Sequence, residues 1–522
     1  MTTQTILSID NGTQSVRALL FDTQGNLLGK GKKEIEPYFS AHPGWAEQEP
    51  AYYWQALVEA CAQLWQSIEA QGISKDSIVA MSITTQRGTM VNVDQQGKAL
   101  RPAITWLDQR NSEELGEISS FVRGLFKLAG ATDLIKRFRQ RAQYLWIAKH
   151  QPSIWAKTHK FLNISGYLHF HLCGEFVDSL ASQVAYLPFD YKKHRWAAKN
   201  DWRYRLLPGF TQARLPSLFK PGEKLGEVTG LAAEQTGIPR GLPIIASASD
   251  KACEILGSGG QGDDVACMSY GTTATINTTS KRYVEPIKFM PAYPSAIPNY
   301  YCSEVMIFRG FWMVSWFKKE FGLREQGIAD ERGINPEDLF DELVNDVPPG
   351  SMGLMLQPYW SPGVREPGPE AKGSIIGFGD VHTRAHMYRA ILEGLAYGLR
   401  EGKERLERRN KQKITLLRVA GGGSQSDAAM QLTADIFGLP VERPHTYETS
   451  GLGAVINAAV GVGVHKDFDT AITQMTRVGE RFEPIAENKA LYNRLYKDVY
   501  LKMYKQLKPL YKTIQDITGY PE

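Results

Sequence analysis

In Asp10-Asn11-Gly12-Thr13-Gln14-Ser15 an acidic residue closes an apolar run, and a turn of small and hydroxylic residues follows it. The flanking runs, Thr5–Ile9 and Val16–Phe21, are rich in β-branched and aliphatic side chains and read as strands. Taken alone the turn is hairpin chemistry, with Asn11 and Gly12 supplying the tolerance of positive φ that a tight turn asks for. Recurrence suggests more. The strand Asp264–Ser269, the turn Tyr270-Gly271-Thr272-Thr273 and the strand Ala274–Thr279 repeat the hairpin with Gly-Thr in the same place. Two such turns facing each other across a cleft would aim backbone N–H groups and hydroxyls at one anionic ligand, a phosphate clamp. The GxxxxGK[ST] loop is absent and Gly421–Gly423 does not complete GxGxxG, so a nucleotide would need another architecture.

Asp250 stands where an apolar strand, Leu242–Ser247, meets a helix, Lys251–Leu256. An Asp at that junction reads equally as an N-cap and as a general base for a hydroxyl, since Ser247, Ala248 and Ser249 leave room beside it. Arg87 beside Gly88, and Trp106 with Asp108, suit a polyol pocket: guanidinium and carboxylate bind hydroxyls and the indole covers the carbon chain. A surface Arg and a core Trp fit the same pattern. The histidines show neither HExxH nor another paired metal spacing.

These residues need a scaffold. Asn26–Glu36 adds a third strand to a meander, and Tyr52–Gln71 forms a helix whose Trp54, Leu57, Val58, Cys61, Leu64, Trp65 and Ile68 recur at three-and-four spacing. Val79–Thr84 and Met90–Val93 are the next strands. The stretch 112–215 is helical, loop-rich and aromatic, like an insertion or a lid. In the second half follow a helix over Thr383–Glu407, a strand Leu416–Ala420, the turn Gly421–Ser424 and a helix Asp427–Phe437. A strand at Val441, a small-residue helix Gly453–Val462 and a tail helix Ala486–Leu507 complete the chain. The hairpin repeated in each half points to two related domains.

At 522 residues the chain is too long for one ordinary core, and 43% hydrophobic with 22% charged residues is a globular composition. A net charge of +4 is close to balance, with no electrostatic footprint for nucleic acid or an anionic membrane. Cys61, Cys173, Cys253, Cys267 and Cys302 form no CxxC pair and no disulfide framework. With no signal-peptide pattern at the N-terminus and no apolar run of membrane-spanning length, a cytoplasmic protein is expected.

Beyond these local readings, the chain resembles the FGGY carbohydrate kinases over nearly its whole length. "DNGTQSVRALLFD" is similar to the family's first phosphate loop, "ITWLDQR" to its substrate-pocket Trp segment, "SASDKACEILGSG" to the segment with the catalytic Asp, and "SYGTTATI" to the second phosphate loop. "GWAEQEPAYYWQAL" resembles the family's early Trp and Glu-Gln-Pro segment. "GSIIGFGDVHTRAHMYRAILEGLAYGLRE" matches its long C-terminal pattern, with Phe378 where a smaller aliphatic is usual. "VAGGGSQSDAAMQLTADIFGLPV" resembles the adenosine-binding turn and helix.

The resemblance implies an α/β fold of two actin-like ATPase, ribonuclease-H-like domains flanking a cleft, one over residues 1–250 and one over 251–522. It implies ATP and Mg²⁺, with Asp250 as the base and Asp10 organising the metal through water. Gly12, Thr13, Gln14 and Arg17 would serve the transferring phosphate, with Gly271 and Thr272 on its other side. Gly422, Gly423 and Ser426 would lie along the adenosine, and Arg87, Trp106, Asp108 and Asp250 would bind the acceptor.

In glycerol kinases the turn after the fourth strand reads Gln-Arg-Glu-Thr and in xylulokinases Gln-Met-His-Gly; here it is Gln86-Arg87-Gly88-Thr89. Loss of the carboxylate opens space for a longer ligand, so a four- to six-carbon ketose or polyol is expected, a pentulose first and glycerol second. An actin-like ATPase shares the two turns but needs no small-molecule pocket, and Arg87, Trp106 and Asp250 discriminate it; against a non-catalytic sugar sensor on the same fold stand the phosphate-loop residues that chemistry requires, all present here. Monomer or homodimer stays open.

Overall fold

The computed structural model describes residues 4–112, 124, 126–128, 132–334, 336–361 and 367–520. The chain packs as two compact units. The first gathers Met1–Gly259, Lys281–Cys302 and Glu448–Arg477; the second gathers Gly260–Ser280, Ser303–Tyr447 and Val478–Glu522.

In the first unit a six-stranded sheet has the order Lys224–Glu227, Pro243–Ile245, Ile78–Thr85, Thr5–Asn11, Ser15–Asp22, Leu27–Glu34. The last three strands form the antiparallel meander, whereas Thr5–Asn11, Ile78–Thr85 and Pro243–Ile245 run parallel. The second unit repeats the plan. From one edge its strands are Val478–Phe482, Val441–Pro444, Leu416–Ala420, Val265–Tyr270, Ala274–Ser280 and Tyr301–Ile307. Leu416–Ala420 is parallel to both neighbours, Val441–Pro444 is antiparallel to the edge strand, and the Gly-Thr hairpin is antiparallel. The repeat seen in the sequence is therefore a repeat of sheet topology.

Burial explains why the central strands lack alternation. Ile6, Leu7 and Ile9 are fully buried, as expected where both faces of a parallel sheet are covered. The helix Pro50–Glu69 covers the meander with Tyr53, Leu57, Cys61, Leu64 and Ile68, the Leu and Ile side chains each worth about 1.5–3 kcal/mol on burial. The helix Asp250–Gly257 packs on Thr449–Gly461 by glycine contact. A Cβ on Gly257 would stand 2.0 Å from the Thr449 carbonyl oxygen, and one on Gly453 would stand 1.9 Å from that of Cys253. Only glycines let these backbones approach so closely.

Several expectations change. The hairpin turn uses no positive φ at Asn11 or Gly12; the Gly12 N–H closes it on the Ser15 carbonyl at 3.0 Å. The strand expected over Leu242–Ser247 is only Pro243–Ile245, although the Ala246 N–H still donates to the Glu223 carbonyl at 2.8 Å. The stretch 112–215 is neither a simple insertion nor a lid where it is described. Lys160–Asn163 pairs with Met90–Val93, and Ile164, Tyr167, Leu168 and Leu172 enter the first unit's core. Residues 113–123, 125 and 129–131 of that stretch lie outside the described residues. The tail runs on as Ala486–Leu495, a wider turn Tyr496–Tyr500, and Leu501–Thr518. Among the described residues no helix is long and apolar enough to cross a membrane.

Candidate active site

Sheet register places the first unit's acids. Asp10 lies opposite Arg17 in the antiparallel ladder and opposite Thr84 in the parallel one. The cross-strand position brings the Arg17 guanidinium to 3.4 Å from the Asp10 carboxylate, and the same guanidinium donates to Glu448 at 2.8 Å. Lys30 also pairs with Glu448. Asp10 is only 4% exposed, and its carboxyl is pushed up to about 6. Burial is the main cause; Arg17 opposes it, and the negative charges of Glu448, Asp250 and Glu254 add to it. A buried carboxyl so poised gains from any cation brought to it.

Thr84 carries the register on to Asp250. Its hydroxyl donates to the Ala248 carbonyl at 3.0 Å, and Ser82 does the same to Ile245 at 2.7 Å. Ser247 donates to the Ile83 carbonyl and Ser179 to the Ser247 carbonyl, all out of water. Four hydroxyls thus reinforce the segment past the strand's end, where Ser249 still bridges to Thr85 and its N–H donates to the Ala181 carbonyl at 3.2 Å. Asp250 is not the N-cap that its position suggested: Ser249 occupies the cap, and Asp250 is the first helical residue, accepting the Lys251 N–H at 2.8 Å. Arg87 Nε lies 4.0 Å from Asp250 Oδ1. Burial raises the Asp250 carboxyl above its usual range, with Arg87 and Lys251 opposing. A raised carboxyl is a stronger base.

The pocket residues separate into two groups. Trp106 is 38% exposed, and its indole N–H donates to the Thr13 hydroxyl at 3.1 Å, which donates in turn to Gln86 at 3.3 Å. Asp108 does not join them. Its carboxylate is 3% exposed, accepts the Ala46 N–H at 2.6 Å and pairs with Arg110 at 2.7 Å, leaving it closed to a ligand hydroxyl. Arg110 is itself layered over Trp45 at 3.9 Å.

In the second unit the Gly271 and Thr272 carbonyls accept from Phe311 N–H at 3.0 Å and Trp312 N–H at 3.4 Å, tying the turn to the helix Trp312–Phe321. Thr272 is exposed. Gly422 has open space where a Cβ would be. Gly423 does not: a Cβ there would strike the Phe311 ring at 2.3 Å, so packing alone requires its glycine. The Ser426 hydroxyl caps the helix Asp427–Phe437 and donates to Asp341 at 2.5 Å.

Gly12 and Gly271 share a telling property. Neither takes positive φ, and an added Cβ would meet nothing closer than 3.5 Å at Gly12 and 3.6 Å at Gly271. Nothing in the fold requires glycine at either turn.

Residues 5–257 match the model of the FGGY family of carbohydrate kinases, N-terminal domain, and residues 266–462 match that family's C-terminal domain. The chain belongs to the FGGY family of carbohydrate kinases. This FGGY kinase is 28% identical to a xylulose kinase of Staphylococcus epidermidis over 99% of this chain and 100% of the relative. It is 30% identical to glycerol kinase 2 of Thermotoga maritima over 94% and 96% respectively. The crystal structure of xylulose kinase from Rhodospirillum rubrum superposes with a TM-score of 0.80 at 24% identity, covering 98% of this chain and 100% of that one. The fold is thus the two-domain actin-like ATPase fold. The FGGY kinase is a phosphotransferase that uses ATP to phosphorylate a sugar or polyol hydroxyl.

Sequence reading passed over several residues of the FGGY kinase. Glu448 meets Arg17 from 431 positions away, and Asp341 meets Ser426 from 85. Tyr293 lies under Arg87, the guanidinium carbon 5.5 Å from the ring centre. None carries a local motif. Ser82 and Thr84 did offer a signal, since hydroxyls within an apolar strand need partners. Among the described residues no three His, Cys, Asp or Glu side chains are grouped to hold a metal. The buried Asp10 carboxylate is the kind of single ligand that would suit Mg²⁺, which is often held by one carboxylate, waters and substrate phosphates.

Proposed function

We propose that this kinase phosphorylates a pentulose, such as xylulose or ribulose, with MgATP as donor. Asp250 takes the proton of the acceptor hydroxyl as its oxygen attacks the γ-phosphorus and the bond to the ADP oxygen breaks. Its raised pKa suits that task. Arg87 and Trp106 bind the sugar. Asp108 orients Arg110 and has no part in binding. Gly12, Thr13 and Gln14 contact the transferring phosphoryl group, and Arg17 serves it by holding Asp10. Gly271 and Thr272 serve the nucleotide phosphates, Gly422 the adenosine, with Gly423 and Ser426 shaping that turn. Mg²⁺, held by Asp10 through water, would neutralise charge on the phosphates.

The observation that carries the reading is the meeting of Asp250 and Arg87 at 4.0 Å beside Gly88. Gly88 adopts φ +71° and has no carboxylate to grip a short triol. A longer chain of hydroxyls fits there. The xylulose kinase and glycerol kinase relatives bracket the choice. A panel of D-xylulose, D-ribulose, gluconate and glycerol, followed by coupled ADP release, tests it. At least tenfold higher kcat/KM on a pentulose is expected; turnover on glycerol alone overturns the proposal.

A further inference from the structure

The residue after Arg87 is Gly88, which brings no side chain to orient the guanidinium, so orientation has to come from other elements. Asp250 is one, at 4.0 Å. Another is aromatic. Tyr293 belongs to Lys281–Cys302, a segment that follows the second Gly-Thr turn in sequence yet packs within the first unit. Its backbone is fixed by a short antiparallel pairing opposite Cys302. Its ring meets that of Tyr191 edge-on, with centres 5.7 Å apart and planes at 72°. The Tyr191 hydroxyl donates to the Ala185 carbonyl at 3.2 Å, and burial raises its phenol well above the usual range, so it stays neutral. The 5.5 Å from the Arg87 guanidinium carbon to the Tyr293 ring centre is within cation–π range.

A ring and a carboxylate hold a guanidinium differently. A carboxylate occupies its N–H edge, whereas a ring attracts the face and takes none of the N–H donors itself. We propose that Tyr293, buttressed by Tyr191, is the positioning residue that aims Arg87 at the acceptor. This rests on the reading of Arg87 as an acceptor-binding group. A merely space-filling Tyr293 would tolerate any apolar side chain of similar size. A positioning Tyr293 tolerates only another aromatic ring.

The test is a double-mutant cycle in the full-length enzyme with Tyr293→Leu, Tyr293→Phe, Arg87→Gln and the Leu/Gln pair, measured on whichever acceptor of the panel the wild type uses best. Tyr293→Leu is expected to raise acceptor KM about tenfold, with kcat and the KM for MgATP within about twofold. Tyr293→Phe restores acceptor KM, and Tyr293→Leu adds nothing further in the Arg87→Gln background. Additive effects, an unchanged KM in Tyr293→Leu, or a Phe variant as impaired as the Leu one would overturn the proposal. If glycerol proves the preferred acceptor, the pentulose reading fails while the cycle is read unchanged on glycerol. A substrate-independent measurement separates the two further. The Arg87 Nε–H NMR resonance, identified by its loss in Arg87→Gln, should lose its ring-current shift in Tyr293→Leu and keep it in Tyr293→Phe. A resonance that does not move overturns the contact. Tyr293→Gln replaces the Leu variant should that one lower the Tm.

Discussion

The indole N–H of Trp106 donates to the hydroxyl of Thr13 at 3.1 Å, so a residue assigned to the sugar pocket holds a residue assigned to the phosphate loop. Thr13 passes the bond on to Gln86, whose amide donates to the Tyr53 hydroxyl at 3.4 Å. Thr13 therefore shares one hydrogen-bond chain with Trp106, Gln86 and Tyr53. Trp106→Phe keeps the ring and removes the donor. It should weaken the mutual strengthening of sugar and nucleotide binding by about two- to tenfold, the worth of one hydrogen bond. Calorimetric titration of the sugar with and without a nonhydrolysable MgATP analogue measures this, and undiminished coupling would count against the link.

Asp250 and the hydroxyls behind it should fail in different ways. Asp250→Ala should cut sugar-dependent ADP release by about 10²–10⁴ while nucleotide affinity stays near that of the wild type. Thr84→Val leaves the Ala248 carbonyl with only the weak Cys253 thiol donor at 3.5 Å, at a cost of about 1 kcal/mol. Its kcat should fall with little change in either KM, because the base is displaced and not removed. Urea unfolding together with steady-state kinetics separates the two, and a Thr84→Val enzyme of normal stability would show the carbonyl to be otherwise satisfied.

Two glycine-to-alanine changes should divide binding from folding. At Gly453 the new methyl meets the Cys253 carbonyl at 1.9 Å, so Gly453→Ala should lower stability by about 1–3 kcal/mol or more. At Gly12 the methyl has 3.5 Å of room, so Gly12→Ala should leave the Tm within a degree or two and raise the KM for ATP. A Gly12→Ala enzyme with normal ATP affinity would mean that no ligand approaches that turn.

Asp10 predicts a pH-dependent stability in the absence of nucleotide and metal. Its folded-state pKa, about 6, exceeds the ordinary 3.8, so the folded protein holds this proton more tightly than the unfolded chain. The stability it contributes is present below pH 3.8 and is lost as pH rises through 6. Above that, the buried charge costs roughly 3 kcal/mol, two pKa units at about 1.4 each. Asp10→Asn should therefore raise the Tm at pH 8 and leave it nearly unchanged at pH 4, while weakening MgATP binding. An equal Tm change at both pH values would refute the burial account.

Read residue by residue, the sequence is strong on local matters. Strand boundaries at Met90–Val93 and Leu416–Ala420 and the helix Asp427–Phe437 agree with the structure to the residue, since apolar periodicity and turn formers act over a few positions. Its errors lie where side chains act at a distance. Asp108 had the right type for a sugar contact, yet Arg110 and the Ala46 N–H already satisfy it. The strand-to-helix junction offers Asp250 as the N-cap, yet Ser249 holds that position, its side chain making no capping hydrogen bond.

The chain alone therefore determined the paired Gly-Thr turns and the two-fold repeat, which follow from short-range chemistry and from recurrence, while at Asp250 it offered an N-cap and a general base alike. Tertiary structure decided which charges meet. Glu448 reaches Arg17, and Tyr293 reaches Arg87, only after sheets and helices have packed. Residues hundreds of positions apart become neighbours through burial of apolar surface, which is non-directional and leaves no local mark on the charged residues it brings together.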